Sequence, residues 1–188
     1  MSQSSQDEQQ DQEQTKLSDM VPKEAEDFLT LDQKDEDQMV MEFKGETLND
    51  YIYEFKSGGK KVIGLSYAGV KAVIHNMRGV NVQLCKFKET DHNFQVICLA
   101  HDKVRDIIMY GAAQQKKIMT GRNAGTDNFA LAKCVSKAQR NALRNLIPEA
   151  LIAKLVTAYL NKGEQPTTTD IAESLKNQAK EAQFEDVE

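Results

Sequence analysis

Lys133, Lys137, Arg140 and Arg144 follow one another at intervals of four, three and four residues. At about 100° per helical residue these intervals stack four cations on one arc, within roughly 60° of one another. Leu131, Val135, Ala138, Ala142 and Leu146 fall on the opposite arc, which predicts a face that packs on a sheet. Between Ala130 and Asn145 there is no Asp or Glu. Like charges at i and i+4 cost roughly a few tenths of a kcal/mol in an isolated helix, and this helix carries no acid of its own to relieve them. A merely solvated Lys/Arg face is the plainer alternative, but such faces usually mix signs. The chemistry the stripe offers is charge-assisted hydrogen bonding to a row of phosphate oxygens, bidentate where Arg supplies it.

Further cations surround the stripe. Residues 103–154 carry ten Lys/Arg, including Lys116, Lys117 and Arg122, against the three acids Asp106, Asp127 and Glu149. Lys56, Lys60 and Lys61 cluster around a Gly-Gly turn. A basic hairpin tip and a basic helix are expected to form two walls of a groove wide enough for one nucleic-acid strand. Tyr51, Tyr53 and Phe55 alternate onto one strand face, where they suit core packing or the stacking of bases.

Other chemistries find less support. Gly58-Gly59-Lys60-Lys61 lacks the span and the Ser/Thr of a nucleotide-binding P-loop, so no ATP chemistry is expected. Cys98-x-x-His101 has zinc-like local spacing but no second pair, and Asp102 and Asp106 are expected to flank a turn and pair with Lys103 and Arg105. A metal-dependent nuclease built on His101, Asp102 and Asp106 is the enzyme alternative, and an adaptor whose basic face meets an acidic protein is the other. No nucleophile–base arrangement stands out. We expect no catalytic residue, metal or cofactor. The cysteines Cys85, Cys98 and Cys134 are too few and too widely spaced for a disulfide framework and are expected to be reduced.

The elements that must position these residues are legible from periodicity. Tyr51–Lys56 and Lys61–Leu65 predict a β-hairpin. Tyr67–Met77 predicts a helix stopped by Gly79. Val80–Lys88 and Phe94–Ala100 predict strands, and Ile107–Gln114 a further strand whose Ala and Gln also suit a helix. Residues 121–125 predict a loop, Asp127–Leu146 the long helix, and Pro148–Leu160 a second helix. The fold class is α+β: a β-hairpin, a helix, further antiparallel strands and a long helix packed across the sheet, between disordered acidic tails.

The formal charge of −5 over 188 residues hides a strong asymmetry. Residues 1–40 carry −9, residues 41–160 carry +8 and residues 161–188 carry −4. We therefore expect a disordered acidic N-terminal tail over 1–40, a basic nucleic-acid-binding domain over 41–160, and a polar acidic tail over 161–188. Thr169 or Asp170 is expected to cap a weak helix in that last tail, running to about Ala182. The end, Phe184–Glu188, would solubilise, dock a partner or compete for the basic groove. No apolar run approaches the ~18 residues of a membrane span, and the polar N-terminus lacks the pattern of a signal peptide. These features predict a soluble protein of the cytoplasm or nucleoid.

The segment Asp127–Pro148, ending Arg140-Asn141-Ala142-Leu143-Arg144, resembles the long helix of the Rad-fifty-two-like single-strand annealing superfamily, near which the Erf and RecT phage recombinases lie. The resemblance covers about residues 45–148 and extends to the order of hairpin, strands and helix. It implies a homo-oligomeric ring or filament that anneals single-stranded DNA, with RNA as the alternative ligand, in recombination or repair. It implies that Arg140 and Arg144 contact phosphates. Asn141 stands where some members have a second basic residue. A recombination or replication partner would engage the acidic tails.

Overall fold

The computed structural model describes residues 23–57, 60–119 and 125–185. The described elements, in chain order, are α1 (Lys23–Phe43), β1 (Ile52–Ser57), β2 (Lys60–Leu65), α2 (Tyr67–Asn76), β3 (Val80–Glu89), β4 (Asn93–Asp102), β5 (Ile107–Lys116), the two-residue strands β6 (Ile118–Met119) and β7 (Gly125–Thr126), α3 (Ala130–Arg144), α4 (Glu149–Lys162) and α5 (Thr168–Glu185). The fold is α+β, as expected. Among the described residues no helix is long and apolar enough to cross a membrane.

β1 and β2 form the predicted antiparallel hairpin, with Ile52 opposite Leu65 and Phe55 opposite Val62. Ile52 and Leu65 share the buried face, and the side-chain amide of Gln165 closes the start of β1 by accepting from Ile52 N at 2.8 Å and donating to Ile52 O at 2.9 Å. Ser66 ends the hairpin and caps α2, its hydroxyl accepting from Gly69 N at 3.1 Å.

β3, β4 and β5 form a three-stranded antiparallel meander with β4 central. The ambiguous segment Ile107–Gln114 is a strand, extended to Lys116, because each residue of 107–116 pairs with one of β4. Strand alternation sends Val96, Cys98 and Ala100 of β4 inward, while Ile97 is exposed on the other face. α3 crosses the inward face with its small residues. A Cβ at Gly111 of β5 would collide with the backbone of Ala138 and Ala142, so the helix approaches the strand as closely as glycine allows. Cys98, Cys134, Val96 and Ala138 form one buried cluster, and a larger one joins the hairpin and α2 to α4 and α5 through Ile52, Val73, Leu146, Leu151 and Ile171.

Two expectations need correction. The acidic segment up to residue 40 is not disordered throughout, since α1 begins at Lys23. Its ordering is offset by docking: Met39 is fully buried, and Asp35 accepts from Tyr67 N at the start of α2 at 2.8 Å. Residues 1–22 lie outside the described residues, as do Gly58-Gly59, residues 120–124 with Arg122, and residues 186–188. The C-terminal helix is capped earlier than expected. Thr167 Oγ1 accepts from Asp170 N at 3.1 Å, while Asp170 Oδ2 accepts from Thr167 N at 2.8 Å, a reciprocal capping box.

Candidate functional site

α3 starts at an Asx turn. Asp127 Oδ1 accepts from Phe129 N at 2.9 Å, and the other carboxylate oxygen takes Lys133 Nζ at 2.9 Å. The four bases of the stripe then follow along the helix, but the stripe is not open. The buried surface of α3 is rotated from the expected arc: Leu131 is exposed, whereas Lys133 and Lys137 are buried along with Cys134 and Ala138. The physical reason is α1, which lies along the basic flank and supplies the carboxylates that α3 lacks.

The pairing is in register. Lys133 Nζ lies 3.1 Å from Glu36, Lys137 Nζ lies 2.6 Å from both Asp32 and Glu36, and Arg140 lies 3.1 Å from Asp35 and 3.8 Å from Asp32. Lys137 also donates to Gln115 Oε1 of β5 at 2.9 Å. Side chains of Lys133 and Lys137 keep only 8% and 7% of their exposure. The two helices run antiparallel, because Phe43 near the end of α1 stacks on Phe129 before α3 at 5.8 Å, while Asp32 reaches Arg140.

On its other side α1 meets the hairpin. Lys34 Nζ donates to Glu54 O of β1 at 3.2 Å and sits 5.7 Å from the Phe55 ring centre, and Gln38 donates to Asp50 O at 2.9 Å. Tyr53 and Phe55 lie side by side, ring centres 5.8 Å apart. Burial, and then the Asp35 carboxylate, push the Tyr53 phenol above its ordinary value, while Arg144 and Arg140 are near enough to pull it back. An acidic helix therefore lies between β1 and the long helix, where an open basic groove is expected. A cleft of about 430 Å³ remains on the hairpin side of α1, lined by Lys34, Asp35, Gln38, Tyr53 and Glu54.

The electrostatics of the groove are those of ion pairs taken from water. Burial alone would raise the Glu36 carboxyl, but hydrogen bonds and charge from Lys137, then Lys133, outweigh it and hold it below the usual glutamate value. Burial would likewise lower Lys133, and Asp127 and Glu36 reverse that and raise it. Asp35 goes the other way: burial pushes it up, and Arg140 does not compensate fully. Among the described residues the buried Arg140 Nε has no hydrogen-bond partner.

The other expected site residues are dispersed. Arg144 is partly exposed at the end of α3 and pairs with Glu149 at 2.9 Å. Lys56 and Lys60 are exposed on the hairpin, and Lys61 pairs with Glu54 at 2.9 Å. Lys117 pairs with Glu89 at 2.7 Å and lies over the Phe94 ring. Lys116 falls on the sheet face away from α3, because Gln115 beside it points to Lys137. Arg122 lies outside the described residues. Tyr51 packs against the main core, apart from the Tyr53–Phe55 pair.

The zinc-like spacing does not assemble. Cys98 is fully buried under α3, and His101, three residues on, projects from the opposite face of β4. Asp102 pairs with Arg105 at 2.6 Å as expected, but Asp106 pairs with His101 at 3.1 Å rather than with Lys103.

Sequence reasoning missed Asp32, Asp35 and Glu36. Their i, i+3, i+4 spacing, continued by Met39 and Phe43, is a helical signal that the polar composition of the segment concealed.

No family model matches the chain. It is 31% identical over 112 residues to the uncharacterized protein MJ0352 of Methanocaldococcus jannaschii, a match that covers 60% of this chain. The chain spans 45% of that relative's length, under half, and the likeness carries no statement of activity.

Proposed function

We propose that the protein binds single-stranded DNA along the groove between the hairpin and α3, and anneals complementary strands without ATP, as a homo-oligomer in recombination or repair. The observation that carries this reading is the row of three carboxylates seated on Lys133, Lys137 and Arg140: the groove is built to hold a line of anions. With Arg144 the stripe is about 16 Å long, which matches about five nucleotides at the ~3.4 Å spacing of a stacked strand. Tyr53 and Phe55 offer ring faces on the facing wall, where bases stack without regard to sequence. The element order and the Arg140–Arg144 ending that resemble the Rad-fifty-two-like superfamily agree with it.

Oligomerisation draws support from the sheet. β3 and β5 are its two edges, and β3 is exposed over most of its length. Leu84, Ile108 and Tyr110 are exposed on these two strands. Edges of this kind pair readily with strands of another copy.

The test is fluorescence anisotropy of a labelled poly-dT oligonucleotide across a salt series, followed by an annealing assay with complementary strands and no nucleotide. Binding that falls steeply with salt and exceeds that for duplex is the expected result. Arg144→Ala should weaken all sequences alike. Absence of binding at low salt would reject the reading.

A second reading follows from the same groove. It already holds an acidic helix, so an adaptor that takes an acidic helix from a partner protein has a specific basis. That reading gains if oligonucleotides do not bind at all.

A further inference from the structure

We infer that α1 is a displaceable stand-in for a nucleic-acid backbone: its carboxylates occupy the phosphate positions on α3, and a single strand binds by displacing the Asp32 and Glu36 carboxylates from Lys133 and Lys137. The inference rests on the proposal that the strand runs along α3.

Charge is the first ground. Asp32, Asp35 and Glu36 all engage bases of α3, a helix without acids from Ala130 to Arg144. The chain ahead of them continues in the same sign, with eight acidic and two basic side chains in residues 1–31. A phosphate row and this carboxylate row are chemically alike toward ammonium and guanidinium donors.

The second ground is incomplete satisfaction. Arg140 meets Asp35 and Asp32 through Nη1 and Nη2, and among the described residues its buried Nε has no partner. A guanidinium engaged side-on by a phosphate would use Nε and one Nη together. The cis contact leaves a donor unused that this ligand would take.

The third ground is the uneven anchoring of α1. Its C-terminal half is fixed by the burial of Met39, by Gln38 accepting from Ala68 N at 3.1 Å, by Glu42 accepting from the Tyr67 hydroxyl at 2.6 Å, and by the Phe43–Phe129 stack. Asp35, buried and bonded to Tyr67 N at 2.8 Å, belongs to the same anchor, whereas Asp32 and Glu36 on either side of it hold Lys133 and Lys137 by charge and hydrogen bonds. When the Asp32 and Glu36 carboxylates give way, Lys133 retains Asp127 and Lys137 retains Gln115, and both gain donors for a phosphate while the anchor of α1 on α2 is kept.

The experiment uses the full chain. Asp32→Asn with Glu36→Gln keeps Asp35 and Met39 and removes two of the three competing charges. Labelled poly-dT is titrated into both proteins at one moderate salt concentration. The variant is expected to bind about tenfold tighter, within the range usual for coupled sites. Hydrogen exchange on the wild-type chain gives an independent arm should the variant fold poorly: amides of residues 31–37 are expected to lose protection when poly-dT is added, while those of α3 keep theirs. Equal affinity of the two proteins overturns the inference and leaves strand binding intact. Unchanged protection of 31–37 in a saturated complex does the same. Failure of both proteins to bind poly-dT at low salt overturns the functional reading, and this inference with it.

Discussion

Replacing Lys137 by Met asks how firmly α1 is held. Lys137 Nζ donates to Asp32 and Glu36 at 2.6 Å each and to Gln115 at 2.9 Å, with its side chain 7% exposed. Methionine preserves much of the packed stem and deletes the charge. Removing one partner of a buried ion pair typically costs about 3–5 kcal/mol, because the other is left buried and unpaired. Two features reduce that here. Glu36 retains Lys133 at 3.1 Å, and Asp32 is 27% exposed and can turn to water. The expected loss is therefore about 2–3 kcal/mol, read as a lower urea midpoint at unchanged slope. In a double-mutant cycle, Glu36→Gln combined with Lys137→Met should cost about 1–3 kcal/mol less than the two singles together.

The acid side of the same experiment has a definite sign. Glu36 has its folded-state value held below 4.5, against burial, by Lys137 and Lys133. A depressed carboxylate stabilises the folded state above its unfolded value, and that contribution is lost as pH falls through the folded value. The gap between wild type and Lys137→Met should thus narrow below about pH 4.5. Asp35 has the opposite sign, since burial raises its carboxyl above 3.8, but it is present in both proteins and largely cancels in the difference. A loss under about 0.5 kcal/mol at neutral pH, the worth of a solvent-exposed pair, would refute the view that α1 docks through this network.

Three further outcomes follow from the same structure. Gly111→Ala should destabilise by about 2–3 kcal/mol in urea unfolding, because its Cβ meets backbone of Ala138 and Ala142 that cannot rotate aside. Arg105→Ala should lower thermal stability by about 3 kcal/mol, since it strips the buried Asp102 of its ion pair and the Leu146 carbonyl of its 2.5 Å donor. Burial would raise Asp102, but Arg105 holds it below 3.8, so this contribution too is present above that value and fades in acid. A thiol reagent on the native protein should modify Cys85 promptly and spare Cys98 and Cys134, which are fully buried with thiols pushed up by burial. Equal modification of all three would place the α3–sheet contact in error.

Periodicity located the hairpin, α2, the first two strands of the meander and α3 to within a few residues, because each buries one face and so writes its period into the chain. Ile107–Lys116 was ambiguous for a physical reason. Gly111, Ala112 and Ala113 are small where α3 crosses, so the strand lacks the bulky alternation that marks β structure. α3 misled in orientation. Apolar Leu131 lies outward and Lys133 inward, since the helix packs on the sheet with Cys134, Ala138 and Ala142 while its bases are covered by a segment about a hundred residues earlier. A helical wheel sees one element and has no access to that partner. α1 itself was hidden by composition, because a segment dense in Asp, Glu and Gln becomes ordered only against a surface of opposite charge.

The absence of acids within α3 now has a structural meaning. Acids at i±4 on α3 would pair with the stripe locally, by about 0.2–0.5 kcal/mol each. The acids stand instead on a separate helix, where three carboxylates engage three of the bases together. The same arrangement explains why net charge alone says little about this protein. The acidic segment pairs at contact range with the bases of α3, where salt screens far less than across solvent, and on the proposed reading it competes there with a polyanion. If the groove serves a strand, the salt dependence of binding will therefore report chiefly the phosphates, and the affinity will report the difference between two anionic occupants of one row of cations.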